Sequence, residues 1–184
     1  METEDSRVGT EDFIPWQQDD VIRHSQRLIK SFQHWTGTPL LKAEGTPAEL
    51  AYALFEADKV IMSHGTETDP VLNYGNRTAL NLWEMDWQRF TQTPSRYTAE
   101  PMNREERCDC VAAVLRTASL TRTRLLEQAK QQGYISNYQG IRISSTGKRF
   151  LVADVIVWDV LDEQDQPCGQ AATFSRWEFL ESAG

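Results

Sequence analysis

The segment from Phe150 to Leu161 constrains the fold more than any other, because it is strand-prone and apolar on both faces. With the two-residue alternation of a strand, one face carries Phe150, Val152, Asp154, Ile156, Trp158 and Val160, and the other Leu151, Ala153, Val155, Val157, Asp159 and Leu161. Other elements must cover such a strand on both sides. Asp154 interrupts its apolar row and needs a partner, because an unpaired buried carboxylate is costly. A salt bridge to a nearby arginine and a contact with a ligand donor both fit that requirement.

Four further runs have the composition of strands. Residues 59–64 and 70–74 are β-prone and are separated by the turn-rich residues 65–69. Residues 140–145 and 168–174 flank the apolar segment and are joined to it by Ser-Ser-Thr-Gly-Lys and Asp-Glu-Gln-Asp-Gln-Pro turns. Together with the apolar segment between them, residues 140–145 and 168–174 predict a three-stranded antiparallel meander. The first two runs bring the number of predicted strands to five.

Two amphipathic helices are predicted near the start of the chain. From Asp20 to Trp35 the apolar residues recur at helical spacing, and Gly37 ends the pattern. A second helix follows Thr46-Pro47-Ala48-Glu49, which offers a capping residue, a proline at the first helical position and a glutamate three residues after the cap. Because each helix has an apolar stripe on one side only, residues 18–56 are expected to form an N-terminal helical cap.

Three more helices are predicted in the middle of the chain. Asn76 is a candidate N-cap for a short helix, and a further turn begins at Asp86. Residues 103–132 form the longest helical pattern, with Gly133 as its C-terminal stop. The helices therefore lie between the first two strands and the meander.

The charge distribution argues against a nucleic-acid partner. The chain has 184 residues with 19 Lys and Arg against 27 Asp and Glu, a net charge of −8. Residues 1–20 carry −6 of it, so the remainder is nearly neutral and has no basic block to meet phosphates. No apolar run approaches the ~20 residues of a membrane span, and the acidic start lacks the features of a secretory signal. We therefore expect a cytoplasmic protein with no membrane partner, and three cysteines that remain thiols.

Several stretches together resemble the MEKHLA domain, a PAS-like family. They are Asp69 to Met85, Pro94 to Pro101, Gly140 to Phe150 and Gly169 to Phe174. The resemblance implies an α+β fold in which a PAS-like five-stranded antiparallel sheet is flanked by helices. With the N-terminal helical cap, the chain divides into an acidic tail (1–17), the cap (18–56), the PAS-like domain (57–175) and a C-terminal tail (176–184). Ligand sensing or regulated dimerisation is the function implied.

The residues do not identify a cofactor or a reaction. The segment 103–132 contains no histidine that would act as a haem ligand in a PAS domain, and the Asn-Cys-Arg-Phe stretch of photosensory flavin domains is missing. Cys108 and Cys110 lack the spacing of a tetrahedral metal site, so no metal is expected. None of the common nucleophile, phosphate-loop or dinucleotide motifs occurs. We therefore expect no enzymatic activity. The alternative is an enzyme that uses the side chain of Cys108 or His64.

The expected function is to bind a small, largely apolar ligand between the sheet and the helices of residues 76–92 and 103–132. Trp83 and Trp87 would share one helical face if their helix continues past Met85. Binding of the ligand would change the packing of the N-terminal helix. That change would in turn affect homodimerisation or contact with a partner. A ligand-free dimerisation or adaptor domain is the alternative. The candidate ligand-binding residues are Tyr74, Trp83, Trp87, Arg96, Asp154 and Trp158.

Overall fold

A computed structural model describes residues 14–99 and 132–181, which form four α-helices and six β-strands. The helices are α1 (Asp19–Thr36), α2 (Pro47–Phe55), α3 (Arg77–Trp83) and α4 (Trp87–Phe90). The strands are β1 (Val60–His64), β2 (Leu72–Gly75), β3 (Tyr134–Ile143), β4 (Arg149–Leu161), β5 (Pro167–Phe174) and β6 (Arg176–Phe179). Short 3-10 turns lie at Pro15–Gln17 and Ser95–Thr98. Residues 103–131 of the predicted helix, with Cys108 and Cys110, lie outside the described residues.

All six strands belong to one antiparallel sheet, which confirms the predicted PAS-like α+β fold. The strand order is β2-β1-β5-β4-β3, and β6 pairs with β4. β5 and β6 follow the same side of β4 in one register, since Ile156 pairs with Thr173 and Ala153 with Arg176. The segment 176–184, expected as a tail, therefore begins with a sixth strand.

Three of the predicted helix starts are confirmed by their capping bonds. The Thr46 hydroxyl accepts a hydrogen bond from the Glu49 amide at 3.3 Å, and the Glu49 carboxylate accepts one from the Thr46 amide at 2.7 Å. The Asn76 side chain accepts from the Ala79 amide at 3.1 Å at the start of α3. Asp86 caps α4 in the same way, at 2.8 Å from the Arg89 amide.

The helix that carries Trp83 does not continue past Met85. Glu84 has a left-handed backbone with φ of 55°, and it ends α3 directly after Trp83. Trp87 therefore starts a separate helix at the turn predicted from Asp86, and the condition under which the two tryptophans would share one helical face is not met.

The helix α1 covers one face of the sheet. Phe32 packs edge-on against Trp158 with ring centres 4.9 Å apart, and Leu28 is fully buried in the same apolar cluster. Two polar bonds tie the helix to β4: Trp35 Nε1 donates to the Asp159 carbonyl at 2.8 Å, and Ser31 Oγ accepts from the Leu161 amide at 2.8 Å. The N-terminal helices are thus part of the core.

The opposite face of the sheet forms a second core with α3 and α4. Trp83, completely buried, packs edge-on against Phe150 at 5.2 Å between ring centres and against Phe174 at 6.3 Å. Val60 and Leu72 from the first two strands join the same cluster. The sheet is therefore covered on both sides, as the apolar character of Phe150 to Leu161 requires.

The assignment of β4 residues to faces is wrong from Asp154 onward. Asp154 has a positive φ of 54°, and the pairing of β4 with β3 shifts between Val152 and Val155. This irregularity inverts the alternation, so that Val155 joins Val152 on the α3 side while Trp158 packs on the α1 side. An extra residue in a strand moves every later side chain to the other face.

No helix in the described ranges is both long enough and apolar enough to cross a bilayer.

Candidate functional site

A cavity lies on the α3 side of the sheet, with an open volume of about 50 Å³. Strands β1, β4 and β5 contribute its apolar floor, and Trp83 forms part of the opposite wall. The apolar lining consists of Met62, Trp83, Val152, Val155, Val157, Ala171, Ala172 and Phe174. The cavity is therefore mainly apolar.

The position of Trp83 is fixed by the turn between β3 and β4. The Ser145 amide donates to the Trp83 carbonyl at 3.0 Å, and the Ser145 hydroxyl donates to the Glu84 carbonyl at 2.8 Å. The Glu84 carboxylate accepts from Ser144 Oγ at 2.8 Å, from Lys148 Nζ at 2.6 Å and from Thr146 Oγ1. These three donors lower the pKa of Glu84 to about 2. The end of α3 is thereby attached to the meander.

A small set of polar side chains interrupts the apolar lining. Arg142 and Tyr138 come from β3, Ser63 and His64 from β1, and Gln170 from β5. His64 Nδ1 lies 2.8 Å from the Gly65 carbonyl, and Gln170 Nε2 donates to Asp159 Oδ1 at 3.1 Å. The cavity thus combines an apolar body with a few convergent polar groups, which is the usual composition of a small-molecule site.

The cation among these groups is Arg142, which has only 9% of its surface exposed. Its Nη2 donates to the Tyr138 hydroxyl at 2.8 Å, and its Nη1 donates to the Ile141 carbonyl at 2.9 Å. The guanidinium carbon also lies 5.3 Å from the centre of the Tyr138 ring. Neither residue was among the predicted ligand-binding residues: the predicted strand begins at Gly140, which leaves Tyr138 out, and Arg142 within it was not assigned to a site. The pattern Tyr138-x-Gly140-x-Arg142 could have found them, since residues two apart in a strand share a face.

A separate groove lies on the other side of the sheet, between α1 and the strand β2. It has an open volume of about 460 Å³, and its lining includes His24, Tyr74 and Trp87. The Tyr74 and Trp87 rings meet edge-on with centres 5.7 Å apart. Burial raises the pKa of Tyr74, and the Ser25 hydroxyl partly opposes that effect.

His24 in this groove is linked to β1 and β2 by a chain of polar contacts. Its Nε2 lies 2.8 Å from Ser63 Oγ, which donates to Asn73 Oδ1 at 2.6 Å. Because the serine proton points to Asn73, His24 Nε2 is the donor to the hydroxyl and cannot accept its proton. Burial and the nearby Arg27 lower the pKa of His24 to about 4, against a smaller opposing effect of Asp20. The arrangement is a structural network of neutral groups.

Of the six residues predicted to bind a ligand, Trp83 lines the cavity. Tyr74 and Trp87 lie together in the groove near α1. Trp158 is fully buried against Phe32 in the contact between cap and sheet. The predicted set is therefore divided between the two faces of the sheet, because the bulge in β4 and the break after α3 separate residues that the sequence pattern had grouped.

The two predicted polar contacts lie away from the cavity. Arg96 pairs with Asp69 and stacks on the Tyr97 ring, 4.6 Å from its centre. Asp154 accepts from Arg176 Nη1 at 2.7 Å, and its side chain is 51% exposed. The expectation of Asp154 within a buried apolar row is wrong, and the salt bridge is the partner that the structure supplies.

Within the described residues, no three or more of His, Cys, Asp and Glu are grouped as metal ligands would be. Cys168 on β5 is a free thiol, and partial burial raises its pKa.

Comparison with known proteins gives one family and one fold. The model of the MEKHLA domain matches residues 22–179. Among the curated proteins, none matches the chain. A PAS domain of a protein from Colwellia psychrerythraea is 11% identical with a TM-score of 0.53, over 72% of this chain and 94% of that chain. Similarity at this level shows a shared PAS fold.

Two further solved structures are similar at lower scores. A PAS domain from a two-component sensor histidine kinase has 12% identity and a TM-score of 0.47, covering 70% of this chain and 91% of that chain. An RNA-binding light-oxygen-voltage receptor has 13% identity and a TM-score of 0.49, covering 74% of this chain and 35% of that chain.

Proposed function

The chain belongs to the MEKHLA domain family and has the PAS fold, and from this premise we propose that it is a non-enzymatic, cytoplasmic sensor domain that binds a small, largely apolar ligand in the cavity beside Trp83. The observation that carries the proposal is the lining of that cavity, where apolar side chains from three strands surround a few polar groups. The buried indole N–H of Trp83 also has no hydrogen-bond partner among the described residues. A ligand acceptor would remove the cost of that unpaired donor.

The sheet offers a direct route from the cavity to the cap. On β4, Val157 lines the cavity and the next residue, Trp158, packs against α1. On β1, Met62 and Ser63 both line the cavity, and Ser63 also lies within hydrogen-bond distance of His24 of α1. A ligand that displaces these strands by a fraction of an ångström would therefore change the packing of α1. We propose that this change alters homodimerisation or contact with a protein partner.

Native mass spectrometry of the purified protein, followed by denaturation and identification of what is released, tests the proposal. We expect a small molecule at one copy per chain. The variant Ala172→Leu, which adds atoms to the cavity lining, should lose it, whereas Ala153→Leu makes the same change on a β4 residue outside the lining. Circular dichroism checks that both variants fold, since overpacking costs roughly 1–3 kcal/mol. An unliganded protein, or equal occupancy in both variants, would contradict the proposal.

A second candidate is a ligand-free dimerisation or adaptor domain, and the size of the cavity favours it. The open volume of about 50 Å³ is well below the roughly 300–1,000 Å³ of ordinary ligand sites. Binding would therefore require side chains to move, whereas an interaction domain needs no cavity. Light scattering separates the two: an unliganded dimer whose mass is unchanged by Ala172→Leu supports the adaptor.

A further inference from the structure

Arg142 is a buried cation in a mostly apolar cavity. It is nine-tenths buried, and in β-sheet register it lies opposite Phe150. Within residues 14–99 and 132–181, no carboxylate oxygen forms an ion pair with its guanidinium. Removing a charged group from water without an opposite charge is costly. The buried guanidinium of Arg142 therefore requires an opposite charge from another source.

The hydrogen bonds of Arg142 leave donors unused. A guanidinium has five N–H donors, and two of them are used by the Tyr138 hydroxyl and the Ile141 carbonyl. The other three have no acceptor in the described part of the chain. The Tyr138 hydroxyl accepts from Arg142, so its own proton remains available to an acceptor in the cavity. Two neighbouring side chains thus present donors, and neither is bonded to a carboxylate of the residues that the structure describes.

Gly140 allows these two side chains to meet. It lies between them on the same face of β3, and a Cβ at this position would fall 2.6 Å from Tyr138 Oη and 2.9 Å from Arg142 Nη1. Any larger residue would displace the phenol or the guanidinium. The Tyr138-x-Gly140-x-Arg142 pattern is therefore the local requirement for a donor pair at this wall of the cavity.

We propose that the ligand of this cavity is a small organic monocarboxylate, whose carboxylate binds Arg142 and Tyr138 while its apolar body lies against the side chains near Trp83. The planar guanidinium fork matches a carboxylate and gives charge-assisted hydrogen bonds. One cation and a small volume suit a single negative charge better than a phosphate, which carries about two. This inference rests on the proposed function, and it adds the charge of the ligand.

Pairs of acids and amides with the same skeleton test the charge directly. The probes are phenylacetate with phenylacetamide and isovalerate with isovaleramide, titrated into the full chain by calorimetry. We expect each acid to bind roughly ten- to a hundredfold more tightly than its amide, as hydrogen bonds to a charged group require. In Arg142→Gln the preference should disappear, because the acid loses a charge-assisted hydrogen bond while the amide loses only a weaker neutral one. Gly140→Ala should reduce acid affinity by displacing the donor pair.

Each alternative result has a definite meaning. Equal binding of acid and amide to the wild type, or a preference that survives in Arg142→Gln, would overturn the carboxylate inference and leave the cavity a site for neutral ligands. If neither acids nor amides bind and the purified protein holds no small molecule, both the inference and the proposed function are wrong. A carboxylate from residues 100–131 that neutralises Arg142 would appear as the first of these results, because the acid would then gain nothing from the arginine.

Discussion

His24 is a residue whose chemistry depends on where the fold places it. The side chain is held against β1 by its contact with Ser63. Burial and the charge of Arg27 lower its pKa from 6.5 to about 4, although Asp20 acts in the opposite direction. The folded protein therefore holds a neutral imidazole at a pH where the unfolded chain has already bound a proton. The contribution of the neutral His24 side chain to stability is therefore fully present above pH 6.5, and it is lost progressively as the pH falls towards 4.

We predict that the free energy of unfolding decreases by about 2 kcal/mol between pH 7.5 and pH 5 because of His24. Urea denaturation at a series of pH values measures it. In His24→Gln the decrease over this range should be largely absent, whereas His34→Gln, at an exposed position on the same helix, should behave like the wild type. An identical pH profile in His24→Gln would show that another group is responsible. Carboxylates such as Glu84 and Glu163, whose pKa values are lowered to about 2, act only at more acidic pH.

Asn76 shows how far a local signal can predict the role of a residue. Its capping bond to Ala79 was predicted from the sequence and is present. The same side chain also accepts from the Ile61 amide at 3.0 Å and donates to the Lys59 carbonyl at 2.8 Å. These bonds join α3 to β1, and the residues around Asn76 in the sequence do not predict them.

At the scale of elements, β4 decides which residues meet the cavity. The residues before Asp154 alternate as expected, but Val155 and Val157 lie on the cavity side where an unbroken strand would place Ile156 and Trp158. The cause is the positive φ of Asp154, a conformation that Asp tolerates better than most residues. The bulge also exposes the carboxylate to Arg176 on β6.

We predict that Asp154→Val destabilises the protein by about 1–3 kcal/mol, because a β-branched residue is strained at positive φ. Asp154→Gly should lower the free energy of unfolding by no more than a few tenths of the amount that Asp154→Val does, since glycine adopts this conformation freely. Ala153→Val, one residue earlier in the strand, is the matched control for adding the same side chain. Chemical denaturation measures the free energy of unfolding of all three variants, which can be compared directly if their m-values are unchanged. Equal stability of Asp154→Val and Asp154→Gly would mean that the bulge does not determine the path of β4.

At the scale of the whole molecule, the N-terminal cap and the sheet share one core. Leu28 and Phe32 of α1 are buried with Trp158 and Val160 of β4. The Arg27 side chain also forms a salt bridge of 2.6 Å with Glu163, although this pair is partly exposed and adds little. Removing α1 would therefore expose apolar surface of the sheet.

We predict that Leu28→Ala lowers the free energy of unfolding of the entire chain by about 2–5 kcal/mol, the cost of a cavity in a packed core. Cap and sheet should unfold in one transition when followed by near-ultraviolet circular dichroism and by hydrogen exchange of α1 amides. Lys30→Ala, at an exposed position on the same helix, should change stability by less than about 0.5 kcal/mol. If α1 opens while the sheet stays protected, the cap is an independent unit.

The sequence by itself determined the features that depend on neighbouring residues. The pattern of apolar residues predicted α1 and five of the six described strands, although β6 and the first half of β3 were not predicted. The capping groups Thr46, Asn76 and Asp86 predicted helix starts, because these signals act within a few positions of the chain. The apolar character of β4 on both faces also required cover on both sides of the sheet. Stretches such as Asp69 to Met85 were enough to identify the family.

Only the tertiary structure decided which side chains face the cavity. A single backbone inversion at Asp154 changes the face of every later residue in β4, and no local pattern encodes it. The pair formed by Tyr138 and Arg142 depends on the space above Gly140 and on the apolar strand beside it. The burial of His24 likewise arises from strands that lie far away in the chain. Contacts between distant segments set these features, because solvent exclusion and charge balance depend on everything that surrounds a group.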